Sequence, residues 1–110
     1  MNTIPDTWVM IKIDTDKGYP YYKIFASWSG GYTTGDSWRM NSGVESVTED
    51  DDYYYFKGLS GSVYQCRKTG YGIRNAYGAG VLHSIIERAD GRAEVVNEDT
   101  DFMTTDYGNW

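Results

Sequence analysis

Trp28 to Gly43 reads W-S-G-G-Y-T-T-G-D-S-W-R-M-N-S-G. The stretch sets the glycines Gly30, Gly31, Gly35 and Gly43 among the aromatics Trp28, Tyr32 and Trp38 and the hydrogen-bonding side chains Ser37, Arg39, Asn41 and Ser42. A loop does not need two tryptophans, and a core strand does not need Ser, Arg and Asn at alternate places. If Ser37 to Ser42 is extended, period-two alternation puts Ser37, Arg39 and Asn41 on one face and Trp38, Met40 and Ser42 on the other. Trp38 and Met40 are then expected to anchor the strand in the core, with a polar row facing a cleft. Donors and acceptors beside aromatic flats hold small polar ligands. The same alternation also describes a half-buried strand whose outer face is merely wet.

Working outward from this stretch, the flanks read as short strands joined by turns. Trp8 to Asp14 is rich in β-formers, with Val9, Ile11 and Ile13 on one face. Thr15 to Gly18 supplies a turn, and Pro20 marks the edge of a second strand, Tyr21 to Ser29. Its Tyr22, Ile24, Ala26 and Trp28 face one way, and Tyr21, Lys23, Phe25 and Ser27 the other. Beyond Gly43, Val44 to Thr48, Tyr53 to Lys57 and Ser62 to Arg67 continue as strands. Glu49 to Asp52 (E-D-D-D) is too charged to pack and reads as a hairpin tip; it lacks the ligand spacing of a calcium loop. From Asn75 the period changes, and Gly78, Val81, Leu82, Ile85, Ile86 and Ala89 recur at helical spacing. Asn75 is placed as the N-cap and Gly91 as the stop, with Gly78 and Gly80 weakening the helix start. Ala93 to Asn97 reads as a last short strand. The expected fold is α+β: one antiparallel meander of five to six strands, curled or closed into a small barrel, with one helix near the C-terminus. A single domain is expected over residues 1–110, with residues 1–6 and 98–110 as loose ends, although Phe102, Tyr107 and Trp110 offer anchors for the tail.

Composition narrows the chemistry. The 110 residues carry a net charge of −6, which argues against nucleic-acid backbones as the main partner. Between Tyr53 and Ala93, six basic residues face two acidic ones, so that segment is +4 and the remainder −10. A basic middle in an acidic chain suits local capture of an anion, and it also describes an ordinary solvated face. A single cysteine, Cys66, precludes an intramolecular disulfide and fits a reducing compartment. With one Cys and one His, a zinc site of that type cannot be assembled from a single chain. No metal or cofactor is expected. No signal peptide or membrane-spanning run is recognised, so no membrane partner is expected.

No catalytic residue is assigned. Gly35-Asp36-Ser37 invites comparison with G-D-S hydrolase motifs, but a serine nucleophile needs a histidine base. His83 sits between apolar positions of the expected helix, where a structural or surface role fits better. Cys66 fits a small core residue better than a thiol nucleophile. Metal-independent chemistry built from Arg, Lys, Tyr and carboxylates stays open. For ligand binding, Arg39 stands in the polar row with Ser37 and Asn41. Ser60 and Ser62, with the backbone N–H groups around Gly58 and Gly61, suggest a small oxyanion nest. Arg67, Lys68 and Arg74 bracket the glycine-rich break before the helix N-terminus. Trp28, Tyr32, Tyr64 and Tyr71 offer surfaces on which a base stacks.

The run W-S-G-G-Y…G-D-S-W-R-M-N-S-G-V, followed by D-Y-Y-Y-F-K-G-L-S-G-S-V-Y-Q-C, resembles a group of small proteins encoded in bacteriophage genomes, over roughly Trp8 to Tyr71. The group has no established activity. The resemblance implies an accessory protein made in the cytoplasm of an infected bacterium. Two functions follow by analogy. One is an anti-defence sponge that sequesters a nucleotide-derived immune signal in the polar-aromatic cleft, as a monomer or a homo-oligomer. The other is an acidic inhibitor, or nucleic-acid mimic, that occludes a host defence nuclease.

Overall fold

Trp8, Val9, Met10 and Ile11 are all buried, so the first strand is wrapped on both of its faces. That fact governs the architecture. A computed structural model describes residues 2–15, 20–30 and 35–107. The strands are β1 (Thr7–Ile13), β2 (Tyr21–Trp28), β3 (Ser37–Met40), β4 (Val44–Glu49), β5 (Tyr53–Gly58), β6 (Val63–Arg67) and β7 (Ala93–Val95). One helix, α1 (Ala76–Arg88), lies between β6 and β7, after a 3-10 turn at Lys68–Gly70. The strands form two antiparallel sheets, one of four in the order β3-β2-β1-β7 and one of three in the order β4-β5-β6.

The α+β class holds, but the single meander of five to six strands does not, and no barrel closes. The reason lies in β1 and β2. A meander has one dry face, whereas these strands carry apolar side chains on both. Trp8, Met10, Ile24 and Ala26 pack against Val44, Phe56, Tyr64 and Cys66 of the second sheet, with Phe102 and Tyr107 from the C-terminal segment. Val9, Ile11 and Phe25 on the opposite face receive Val81, Leu82, Ile85 and Ile86 of α1. The result is three layers: helix, four-stranded sheet, three-stranded sheet.

The chain changes sheets at Asn41–Gly43. The Asn41 side-chain oxygen accepts from the Ile24 N–H at 2.9 Å and so ends the β2–β3 ladder. Gly43, at φ 136°, then turns the chain out of the first sheet in a conformation that a side chain would resist. At the helix start, Asn75 caps as expected, its side-chain oxygen accepting from the Gly78 N–H at 2.5 Å. The stop differs by one residue: Asp90, at φ 51°, takes the first left-handed position and Gly91, at φ 84°, follows it.

The ends are held more firmly than composition suggests. Thr3 pairs in parallel with Tyr64, donating to Val63 O at 2.8 Å and accepting from Gln65 N–H at 2.7 Å. Pro5 is fully buried, and Phe102 and Tyr107 belong to the core. Trp110 lies outside the described residues. Among the described residues no helix is long and apolar enough to cross a membrane.

Candidate functional site

The β2–β3 register pairs Trp28 with Ser37 and Ala26 with Arg39. Directly paired residues share a face, so Trp28, Ser37 and Arg39 project together. With Thr3 and Ile4 of the N-terminal segment and Trp38 across the strand, they line an open depression of about 390 Å³ at the margin of the larger sheet. Several bonds hold the segments around it. The Trp28 indole N–H donates to Ile4 O at 2.9 Å. The Asp6 carboxylate accepts from Ser29 N–H at 2.9 Å, and the Asp36 carboxylate from Gly30 N–H at 3.2 Å.

Arg39 is the charge in this depression. Among the described residues the ion pairs Lys57–Glu45 and Lys68–Glu49 and the His83–Glu87 contact all leave Arg39 out. Its charge reaches Tyr64. Burial pushes that hydroxyl above its ordinary value, and the guanidinium draws it partly back. An exposed guanidinium with no carboxylate on it keeps its paired donors available for an anion.

The other expected site residues are dispersed. The alternation in β3 is as expected, but Trp38 is not a core anchor. It stacks on Phe25 and remains exposed, because α1 covers the middle of that face and β3 lies at its margin. Asn41 faces no cleft. It is buried, holds the Ile24 N–H, and its side-chain NH₂ has no partner among the described residues. Tyr64 is a core residue with no face to offer a base. Tyr32 lies outside the described residues.

The expected nest at Ser60 and Ser62 is closed by its own turn. Gly58 N–H donates to Ser62 O at 2.8 Å, Gly61 N–H to Gly58 O at 3.0 Å, and Leu59 N–H to Gly43 O at 3.0 Å. Ser60 N–H goes to the Ser42 hydroxyl at 3.1 Å, so the donors around the turn are committed. Arg67 lines a separate depression of about 280 Å³ with Asp51, Asp52, Tyr53, Lys68 and Thr69. Its guanidinium lies 5.8 Å from the Tyr53 ring centre, and the two aspartates beside it compete with any anion. Arg74 donates to Thr69 O at 3.2 Å on the approach to α1. Tyr71 is spent on the core, its hydroxyl donating to Val96 O at 2.6 Å and accepting from Met10 N–H at 3.2 Å.

The catalytic alternatives lose their geometry. Cys66 is buried in the core between the sheets, which pushes its thiol far up. His83 is exposed on α1 and pairs with Glu87 at 3.3 Å. Helix and Cys66 lie on opposite sides of the larger sheet, so no Cys–His pair forms. The E-D-D-D run is a hairpin tip as expected. Asp50 accepts from Asp52 N–H, Tyr53 N–H and the Tyr55 hydroxyl at 2.9, 2.8 and 2.5 Å. The Tyr55 hydroxyl, then those backbone donors, hold the Asp50 carboxyl below its usual range.

Three residues of the depression, Thr3, Ile4 and Trp38, were not expected there. Thr3 and Ile4 fall in a stretch with no periodicity; the pairing of Thr3 with Tyr64, the Trp28 indole on Ile4 O and the Asp6 bonds to Ser27 and Ser29 hold them near the end of β2. No protein-family model, curated protein or solved structure matches the chain.

Proposed function

We propose that this protein binds a small phosphate-bearing ligand at the margin of its larger sheet, with Arg39 on the phosphate and an indole, Trp28 or Trp38, against the base. One observation carries the reading: a guanidinium with no ion-pair partner among the described residues sits beside two indoles and the Ser37 hydroxyl in one depression. Its volume of about 390 Å³ falls at the small end of ligand sites and suits a single nucleotide unit. The finer function is that of a bacteriophage anti-defence sponge that holds a nucleotide-derived immune signal in the cytoplasm of the host. The W-S-G-G-Y…G-D-S-W-R-M-N-S-G resemblance supports that context.

Calorimetric titration with a panel of mononucleotides and cyclic dinucleotides tests the proposal. Arg39→Ala is expected to weaken binding about 10–150-fold, the worth of a hydrogen bond to a charged group. Thermal stability should barely move, because Arg39 is exposed and makes no ion pair among the described residues. Arg39→Lys keeps the charge, loses the fork and recovers part of the affinity. Equal affinity in all three proteins removes Arg39 from the site.

A second reading has its own observation. Trp38 and Ile4 are exposed beside Arg39, and Trp and Arg dominate the energetic centres of protein interfaces. On that reading the acidic chain occludes a host defence nuclease. It is favoured if no nucleotide in the panel binds and Trp38→Ala abolishes inhibition of such a nuclease.

A further inference from the structure

A sheet edge exposes unpaired backbone groups, and proteins guard such edges. Three of the four edges here are guarded. The outer edge of β6 is covered by the chain's own Thr3, through the Thr3–Val63 and Gln65–Thr3 bonds. The β4 edge has a register irregularity between Val44 and Ser46 and carries Glu45 and Glu49. β7 is only three residues long. The fourth edge, β3, is itself only four residues long and carries Arg39, but among the described residues no segment of the chain pairs with its outer side.

The hydrogen-bond phase shows what β3 presents. Asn41 N–H donates to Ile24 O at 3.2 Å, so in this register Asn41, Arg39 and Ser37 turn their backbone groups toward β2. By alternation, Trp38 and Met40 turn their N–H and C=O groups outward. No hydrogen bond reaches those four groups among the described residues. Beside them stand the exposed Trp38 ring on one face and the unpaired Arg39 guanidinium on the other.

We propose that β3 is a strand-addition site, which pairs through Trp38 and Met40 with an extended segment of a partner protein that carries a carboxylate opposite Arg39. Main-chain bonds supply the docking and the alternate side chains the selectivity, as in other strand-addition interfaces. The carboxylate follows from local charge: a residue paired with Arg39 lies about 5 Å from it, inside the range where screening is weak. A second copy of this chain is a poor occupant. The symmetric register that satisfies all four groups pairs Trp38 with the partner's Met40 and sets Arg39 directly against another Arg39, which is destabilising. The site shares Arg39 and Trp38 with the nucleotide reading but adds the outward backbone groups of Trp38 and Met40, so loss of peptide binding on N-methylation, with nucleotide affinity unchanged, separates the two.

The test uses the whole protein and a blocked heptapeptide of alternating threonine and valine with a central glutamate. A lysine counterpart and a version of the glutamate peptide N-methylated at alternate amides serve as controls. The amide signals of Trp38 and Met40 are followed by nitrogen–proton NMR and hydrogen exchange. The glutamate peptide should protect both amides and bind about tenfold or more tightly than the lysine peptide. N-methylation should abolish binding with the protein unaltered, and Arg39→Glu should reverse the peptide preference. The proposal is overturned by equal affinity for the two peptides, by no binding at millimolar concentration, or by protection confined to other strands. Protection of these two amides by self-association, before any peptide is added, overturns the choice of occupant.

Discussion

Trp38 lies flat on Phe25, with ring centres 5.4 Å apart and 10° between the planes, yet it keeps 39% of its surface exposed. Trp8 is the counter-case. It is fully buried, meets Tyr54, Phe56, Tyr71 and Phe102 in tilted or edge contacts, and donates its indole N–H to Arg67 O at 2.7 Å. Trp38→Ala should therefore cost only about 1–2 kcal/mol, from stacking and partial burial. Trp8→Ala should cost about 3–5 kcal/mol or prevent folding. Chemical denaturation of the two variants measures the difference; equal losses would mean that Trp38 is a core residue after all.

Gly78 reverses an ordinary rule. In the first turn of a helix, Gly→Ala usually stabilises by up to about 1 kcal/mol. Here a Cβ would lie 2.6 Å from the Asn75 side-chain oxygen, 2.7 Å from the Ser27 hydroxyl and 2.9 Å from Ile73. Those atoms form the cap itself: Asn75 donates to the Ser27 hydroxyl at 2.7 Å while accepting from Gly78. Gly78→Ala should destabilise by about 1–3 kcal/mol, as overpacking does, whereas Gly80→Ala, with open space around it, should be neutral or stabilising. Melting temperatures of the two variants should move in opposite directions.

Asn41 is expected to matter for stability and not for ligand. Asn41→Ala leaves the Ile24 N–H buried without a partner, a loss of about 1–3 kcal/mol. Nucleotide affinity, compared under conditions where the variant remains folded, should match the wild type. A selective loss of affinity would return Asn41 to the site.

Stability should decline in alkali. Burial raises the Tyr71 hydroxyl from 10.0 to about 12, and burial also raises Tyr107. A group whose folded pKa is raised holds its proton more tightly in the native state. Its contribution is complete below the unfolded value and is lost as pH rises through the folded one. The buried Cys66 thiol is raised from 9.0 in the same way, so unfolding free energy should begin to fall near pH 9 and fall further toward pH 12 as the tyrosines add their share. Tyr71→Phe removes a hydroxyl bonded to Met10 and Val96, so it should lower stability at neutral pH and make the alkaline decline shallower. Denaturant titrations from pH 7 to 12 follow both effects; an unchanged alkaline slope would exclude Tyr71 as a contributor.

Much of the local structure is legible because it rests on neighbours in the chain. The alternation of Val9, Ile11 and Ile13, the 3.6-residue spacing from Gly78 to Ala89, the Asn75 cap and the acidic hairpin tip each depend on contacts a few residues apart. The same holds for the face of β3 that carries Ser37 and Arg39. The site is less legible. Ser60 and Ser62 lost the nest because Gly43 and Ser42, distant in sequence, take donors from that turn. Arg67 lies in a depression of its own, beside Asp51 and Asp52.

By itself, the order of residues determined the α+β class, the position and cap of the helix, and the strand faces. Tertiary structure alone decided that the strands divide into two sheets, because layering depends on which apolar faces meet across the core. It also decided which end of which strand stays wet. Trp38 and Trp8 are the same residue in similar strand contexts, but β1 is central and β3 is an edge. Burial is a property of that placement, and only contacts between residues distant in sequence, Thr3 with Tyr64 and the Trp28 indole with Ile4 among them, bring the N-terminal segment to the depression around Arg39.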